Sequence, residues 1–218
     1  EHSQKWFDFI NTGILNSEAI ADSFLIGNDM YEAIKIREKQ NSTDWQLYYQ
    51  LALIDYDRER FDRAMKNTVK SMLLDSNFQN NNLYMSLLKN NGDKNYLYYA
   101  KKIIKMKFDN YSVVESIFKT FLEVENFSEL IDCYEIISEE LKETARIKMY
   151  LAVAYFNTGC AEMAEKILLE NGGIQMNDYR EGDKMLNNLY RGIRKELYNE
   201  DPKSVVVPFE FDFVVADI

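Results

Sequence analysis

The chain has 218 residues, 46% of them hydrophobic and 14% aromatic, and 26 Lys and Arg against 36 Asp and Glu leave a formal net charge of −10. That apolar share suffices for a buried core and is not that of a disordered chain, while the acidic balance argues against nucleic acid and anionic membrane surfaces as partners. One histidine, His2, and two cysteines, Cys133 and Cys160, leave no base for a Ser-His or Cys-His nucleophile, no imidazole metal site and no disulfide framework.

Residues 1–44 read as an atypical N-terminal capping segment. Gln4 to Asn11 fits a short helix ending at Gly13, and Phe24-Leu25-Ile26-Gly27 is an apolar run stopped by glycine. Asn28 or Asp29 is the expected cap of a further helix carrying Met30 and Ile34, before a charged turn at Arg37 to Lys39. No run of about 18 apolar residues exists and the start has no basic or apolar leader pattern; two cysteines in a helical chain read as a reduced pair, so a cytoplasmic location is expected. Glu1 stands where an initiating Met would, which points to a longer parent protein.

From Trp45 to Asn171, four stretches overlay at a period of about 34 residues, the mark of helix pairs that bury their faces only by stacking. In the first, 45–78, Ser42-Thr43-Asp44 caps a helix from Trp45 to about Asp57, and Phe61 to Leu74 is its partner. Leu51 and Ala52 hold the seventh and eighth places, Phe61 the seventeenth and Ala64 the twentieth, and Asp75 closes the unit. The second, 79–110, is degenerate: from Asn81 it has Leu87-Leu88, a Gly92-Asp93 turn, Leu97, Ala100 and Ile104, and its first helix reads as cut short by about a turn. The third, 111–144, places Ile117, Phe118 and Phe121 on one helix and Phe127, Leu130, Tyr134 and Ile137 on the next. The fourth, 145–171, repeats the first closely, with Leu151-Ala152, Tyr155, a turn at Gly159 and Ala164. A small residue at the eighth and twentieth places lets the two helices of a pair approach closely.

Asn171-Gly172-Gly173 then stops a helix, and an extended stretch runs to Tyr179. Within 172–203, a helix from about Glu181 to Tyr198 carries Met185, Leu189, Tyr190, Ile193 and Leu197 on one side, as a cap over the last pair. Both prolines, Pro202 and Pro208, lie near the end. Over 204–218 the period changes: Val205, Val207, Phe209, Phe211 and Phe213 alternate with Val206, Pro208, Glu210 and Asp212, as in a strand with one apolar face. A lone strand needs a partner, whether another segment, another chain or an absent domain.

The paired Leu51-Ala52 and Leu151-Ala152, with Ala64 and Ala164, resemble the tetratricopeptide repeat. The resemblance implies an all-α, right-handed α-α solenoid of about four helix pairs with atypical ends and a short extended tail. The ends extend it. Trp6, Thr12-Gly13, Ser23 to Gly27, Asn177 to Gly182 and Phe211-Asp212-Phe213 together look like the C-terminal region of large bacterial proteins in which a mutarotase-like β-sandwich domain precedes such repeats. In that family a tryptophan usually follows the Arg-Glu-Gly element, where this chain has Leu189-Tyr190.

Chemistry is sparse. Lys101, Lys102, Lys105 and Lys107 interleave with Ile103, Ile104, Met106 and Phe108, the pattern of a solvated helix face. Gly172-Gly173 lacks the lysine of a phosphate loop. Glu139-Glu140 and Glu123/Glu125 read as acidic surface, and both cysteines as buried small hydrophobes. No catalytic residue, metal site or cofactor is expected, and the chain reads as non-catalytic.

What the repeat resemblance implies is a binding groove on the first helices. Its exposed places would be Gln46, Tyr49, Leu53, Tyr56 and Asp57 in one unit, Ser112, Glu115, Lys119, Leu122 and Glu123 in the third, and Arg146, Met149, Val153, Phe156 and Asn157 in the last. Such a surface suits an amphipathic helix or apolar extended segment of a protein, including another domain of the same polypeptide. Equally, the chain's own ends could fill it. Val207, Phe209, Phe211 and Phe213 are the candidate docking tail, with self-association as a further outcome. The alternative role is an accessory region of a carbohydrate-processing protein whose β-sandwich lies outside this chain.

Overall fold

A computed structural model describes residues 27–39, 43–106, 110–170, 173–176 and 184–211. The expected helix at Gln4 to Asn11, the run at Phe24 to Ile26, Lys107, Phe108, the stop at Asn171-Gly172, the stretch from Asn177 to Gly182, and Phe213 lie outside these residues. The described regular structure is helical, with no strand among the described residues. Two compact units divide at Ile103/Ile104.

The N-terminal unit contains α1 (Asn28–Glu38), α2 (Trp45–Asp57), α3 (Phe61–Leu74), α4 (Phe78–Asn90) and most of α5 (Tyr96–Lys105). Gly27 rather than Asn28 or Asp29 is the N-cap of α1, its carbonyl accepting from Tyr31 N. Asp44 caps α2 as expected, accepting from Gln46 N at 2.9 Å. Met30 and Ile34 pack with Leu47, Leu51 and Ile54 in one cluster. Ala52 and Ala64 join Leu83 and Leu87 in another, and both alanines are fully buried, which is how the α2–α3 pair comes close.

α4 corrects the expectation of a shortened helix. It runs thirteen residues from Phe78, held by a capping box in which Asn77 and Asn80 bond each other's backbone N–H. Asn80 also donates to Asp75 O at 2.6 Å and Asn81 to Asn77 O at 2.5 Å. Asn80 and Asn81 therefore form a buried polar start of the helix, which is not cut short.

The C-terminal unit holds α6 (Tyr111–Glu123), α7 (Phe127–Ile136), α8 (Glu139–Lys142), α9 (Ala145–Asn157), α10 (Ala161–Leu169), α11 (Met185–Tyr198) and a single 3-10 turn, η1 (Phe209–Phe211). Ile117, Phe118, Phe121, Leu130, Cys133, Ile147, Leu151, Ala152, Ala154, Ala164 and Leu168 form its interior. Ile137 caps α7 instead of continuing it, yet stays buried. Cys160 is exposed, against the expectation for it, because it sits in the turn that leads into α10.

The repeat is visible in the backbone. Glu59, Gly92, Glu125 and Gly159 all have positive φ, at steps of 33, 33 and 34 residues. At each, the residue's N–H reaches the carbonyl three back and the next N–H the carbonyl five back: Glu59 to Tyr56 and Arg60 to Asp55, Gly159 to Phe156 and Cys160 to Tyr155, and likewise at Gly92 and Glu125. This is the Schellman stop. It ends α2, α4, α6 and α9 identically and starts the return helix of each pair.

Candidate functional site

In the N-terminal unit the expected groove residues gather around an open cavity of about 360 Å³ at the C-terminal end of α2. Leu53, Tyr56 and Asp57 line it with Glu59, Phe61 and Asn90. Tyr56 is held on two sides: Asn90 Nδ2 donates to its hydroxyl at 2.8 Å, and Phe61 meets its ring edge-on at 5.8 Å. Phe61, which the repeat pattern assigns to packing, is 46% exposed. Asn90 was not anticipated, and only the thirty-four-residue separation from Tyr56 hints at it in the sequence. Tyr49 lies deeper, 6.0 Å from the Trp45 ring. It packs against the Ala52, Ala64, Leu83 and Leu87 cluster and so belongs to the structure of the helix pair, and burial pushes its phenol up to about 12. Gln46, expected to be exposed, is buried.

The C-terminal unit treats its groove differently. Arg146 and Glu115 face each other, Nε to Oε1 3.4 Å, joining α9 to α6. Met149 is 1% exposed, a correction to its assignment as a groove residue, because α9 packs against α6, α7 and α10 at once. Leu122 and Val153 are half-buried; Lys119 and Asn157 are exposed, and Asn157 Nδ2 donates back to Val153 O at 2.8 Å. Phe156 is half-buried, with α11 packed on its ring. A Cβ built on Gly192 would sit 2.7 Å from Phe156 Cζ, so glycine is what lets α11 lie on that ring. The chain's own α11 thus occupies part of the far end of the last pair.

α11 buries Leu186, Leu189 and Ile193, whereas Met185, expected on the same side, is at the exposed limit. Arg194 bridges Glu165 Oε1 at 3.8 Å and pairs with Glu200, while Tyr198 Oη donates to Glu165 Oε2 at 2.8 Å.

The strand expected in the tail is absent from the described residues. Residues 202–204 turn, 205–208 have no regular structure and 209–211 make η1. Arg191 decides this: its Nη1 donates to the Pro202 carbonyl and to Val205 O at 2.9 Å, and its Nε to Asn187 Oδ1 at 2.8 Å. Val205 and Phe211 are buried, Phe211 at 5.7 Å from Tyr190, while Val206 is 88% exposed and Val207 half-buried. Two of the alternating apolar residues therefore serve as a strap on the chain's own α11.

Among the described residues, no group of three or more His, Cys, Asp or Glu is placed to hold a metal ion, and no helix is long and apolar enough to cross a membrane. No protein-family model matches the sequence, and no curated protein matches it.

Proposed function

We propose that the protein is a non-catalytic interaction scaffold, a solenoid of tetratricopeptide-like helix pairs that takes an apolar or amphipathic segment of a protein partner on its N-terminal pairs. The observation that carries this reading is the cavity beside Phe61, where a large aromatic ring stays about half exposed between Tyr56 and an open, partly apolar recess. A fixed aromatic at the edge of a recess suits an anchor residue of a bound helix. Asp57 and Glu59 at the rim favour a partner whose anchor is flanked by Lys or Arg. Packing of α11 on the Phe156 ring narrows the surface that the last pair offers and favours capture at α2.

The test is selection of peptides from a displayed amphipathic-helix library on the full chain, then measurement of the selected peptides on Phe61→Ala. Loss of at least tenfold in affinity with the melting temperature nearly unchanged is expected. Affinity that survives Phe61→Ala, or falls only with the melting temperature, refutes the reading.

A further inference from the structure

A second face of the N-terminal unit carries charge of the sign opposite to the chain as a whole. Arg63, Lys66 and Lys70 follow at steps of three and four along α3, which places them on one stripe. Lys35 of α1 faces that stripe across a cleft of about 250 Å³ floored in part by Tyr31. Those four cations stand against only two acids of the cleft, Glu38 and Asp55, so its lining is net +2 in a chain of −10.

The two acids do not cancel the cation excess: Glu38 is shared between two lysines, and Asp55 pairs with none of the four. Glu38 accepts from Lys35 Nζ at 2.6 Å and Lys70 Nζ at 3.4 Å, one carboxylate drawing two ammonium groups together. Lys70 Nζ also lies 4.9 Å from the centre of the Tyr48 ring, and each ammonium keeps N–H donors beyond the one given to Glu38. Burial alone would raise the Glu38 carboxyl, but the Lys35 hydrogen bond and the charges of Lys35 and Lys70 outweigh it and hold it below its ordinary value. Asp55 is 1% exposed and turned inward: its Oδ2 accepts from Asn67 Nδ2 at 3.1 Å, while its buried Oδ1 makes no hydrogen bond and has Arg60 Nη1 at 3.9 Å. Arg63 and Lys66 are exposed and make no ion pair with the described residues. Four cations from two helices, two of them preset by a carboxylate, present more donors and more charge than one carboxylate ligand would use.

We propose that this cleft binds a phosphomonoester dianion. Three terminal oxygens accept from several N–H groups at once, a dianion matches the net +2, and the guanidinium of Arg63 offers a forked pair of donors. Tyr31, whose ring carries Lys35 Nζ at 5.9 Å and the Arg58 guanidinium at 4.8 Å, lines the same cleft. Its residues are separate from those around Phe61, so this inference and the scaffold reading succeed or fail independently.

Calorimetric titration of the full chain with O-phosphoserine, and with serine as control, at fixed ionic strength tests it. Phosphoserine should bind saturably in competition with inorganic phosphate, and serine should not bind. The exposed pair Arg63→Glu/Lys66→Glu should weaken binding at least tenfold. Lys94→Glu/Lys105→Glu makes the same change in net charge at exposed positions that do not line the cleft, and should weaken binding less than threefold. Circular dichroism checks that both variants keep their helices. Absence of saturable binding, equal loss in the two double variants, or binding of a Glu-rich peptide in place of phosphoserine would each overturn the proposal.

Discussion

Glu59 and Glu125 occupy left-handed turn positions, with φ of 57° and 56°, that Gly92 and Gly159 fill in the sister turns at 70° and 82°. A left-handed backbone costs a residue with a Cβ about 1–2 kcal/mol, and introducing glycine costs about 0.5–1 kcal/mol through the freer unfolded chain. Each Glu→Gly substitution should therefore stabilise by about 0.5–1 kcal/mol, because both side chains are exposed and little contact is lost. In a chain of this size 1 kcal/mol moves the melting midpoint by about 2–4 °C. The double variant Glu59→Gly/Glu125→Gly should then melt roughly 2–8 °C higher by calorimetry. The converse is Gly159→Ala, where no atom lies within 4 Å of the added Cβ. Its cost should be purely conformational, about 1 kcal/mol. A lower midpoint for the double glycine variant, or no change for Gly159→Ala, would refute the assignment of these four residues to one strained turn.

Arg191→Met keeps the aliphatic stem but removes the bonds to Pro202 and Val205. Hydrogen bonds to a charged group are worth about 1.5–3 kcal/mol, so the strap should open and trypsin should cut after the exposed Lys203 at least tenfold faster with helical circular dichroism nearly intact; an unchanged cleavage rate would show that the strap is held otherwise. The Tyr49 phenol, pushed up to about 12 by burial from an ordinary 10.0, contributes stability that is fully present below pH 10 and is lost as the pH rises through 12. With partial solvent exposure discounted, roughly 2 kcal/mol is at stake, so Tyr49→Phe should lose that much less than the parent between pH 10 and 12 in denaturant titrations, and identical alkaline slopes would count against the buried phenol.

Much of the helix pairing is legible in the residues. Asp44 before Trp45, the Leu-Ala doublets and the alanines at the twentieth places locate α2, α3, α9 and α10 to within a residue or two, since small residues mark close approach and caps mark ends. The start of α4 was not legible. Asparagines favour loops by bonding their own backbone, and only the fit of Asn80 between Ser71 and Asp75 turns that tendency into a helix cap. The groove was half legible: helical phase finds the face, but whether Met149 is open or Phe61 covered depends on neighbouring helices that no local pattern specifies.

The sequence by itself determined the paired helices, because hydrophobic phase, small residues and caps act within one or two turns of helix. Only the tertiary structure decided what those faces meet. A strand-like alternation became a strap because Arg191 captures two carbonyls far along the chain. The last pair was partly occupied because Gly192 admits Phe156. Cations spread over Lys35 to Lys70 became one cleft because α1 packs beside the α2–α3 pair.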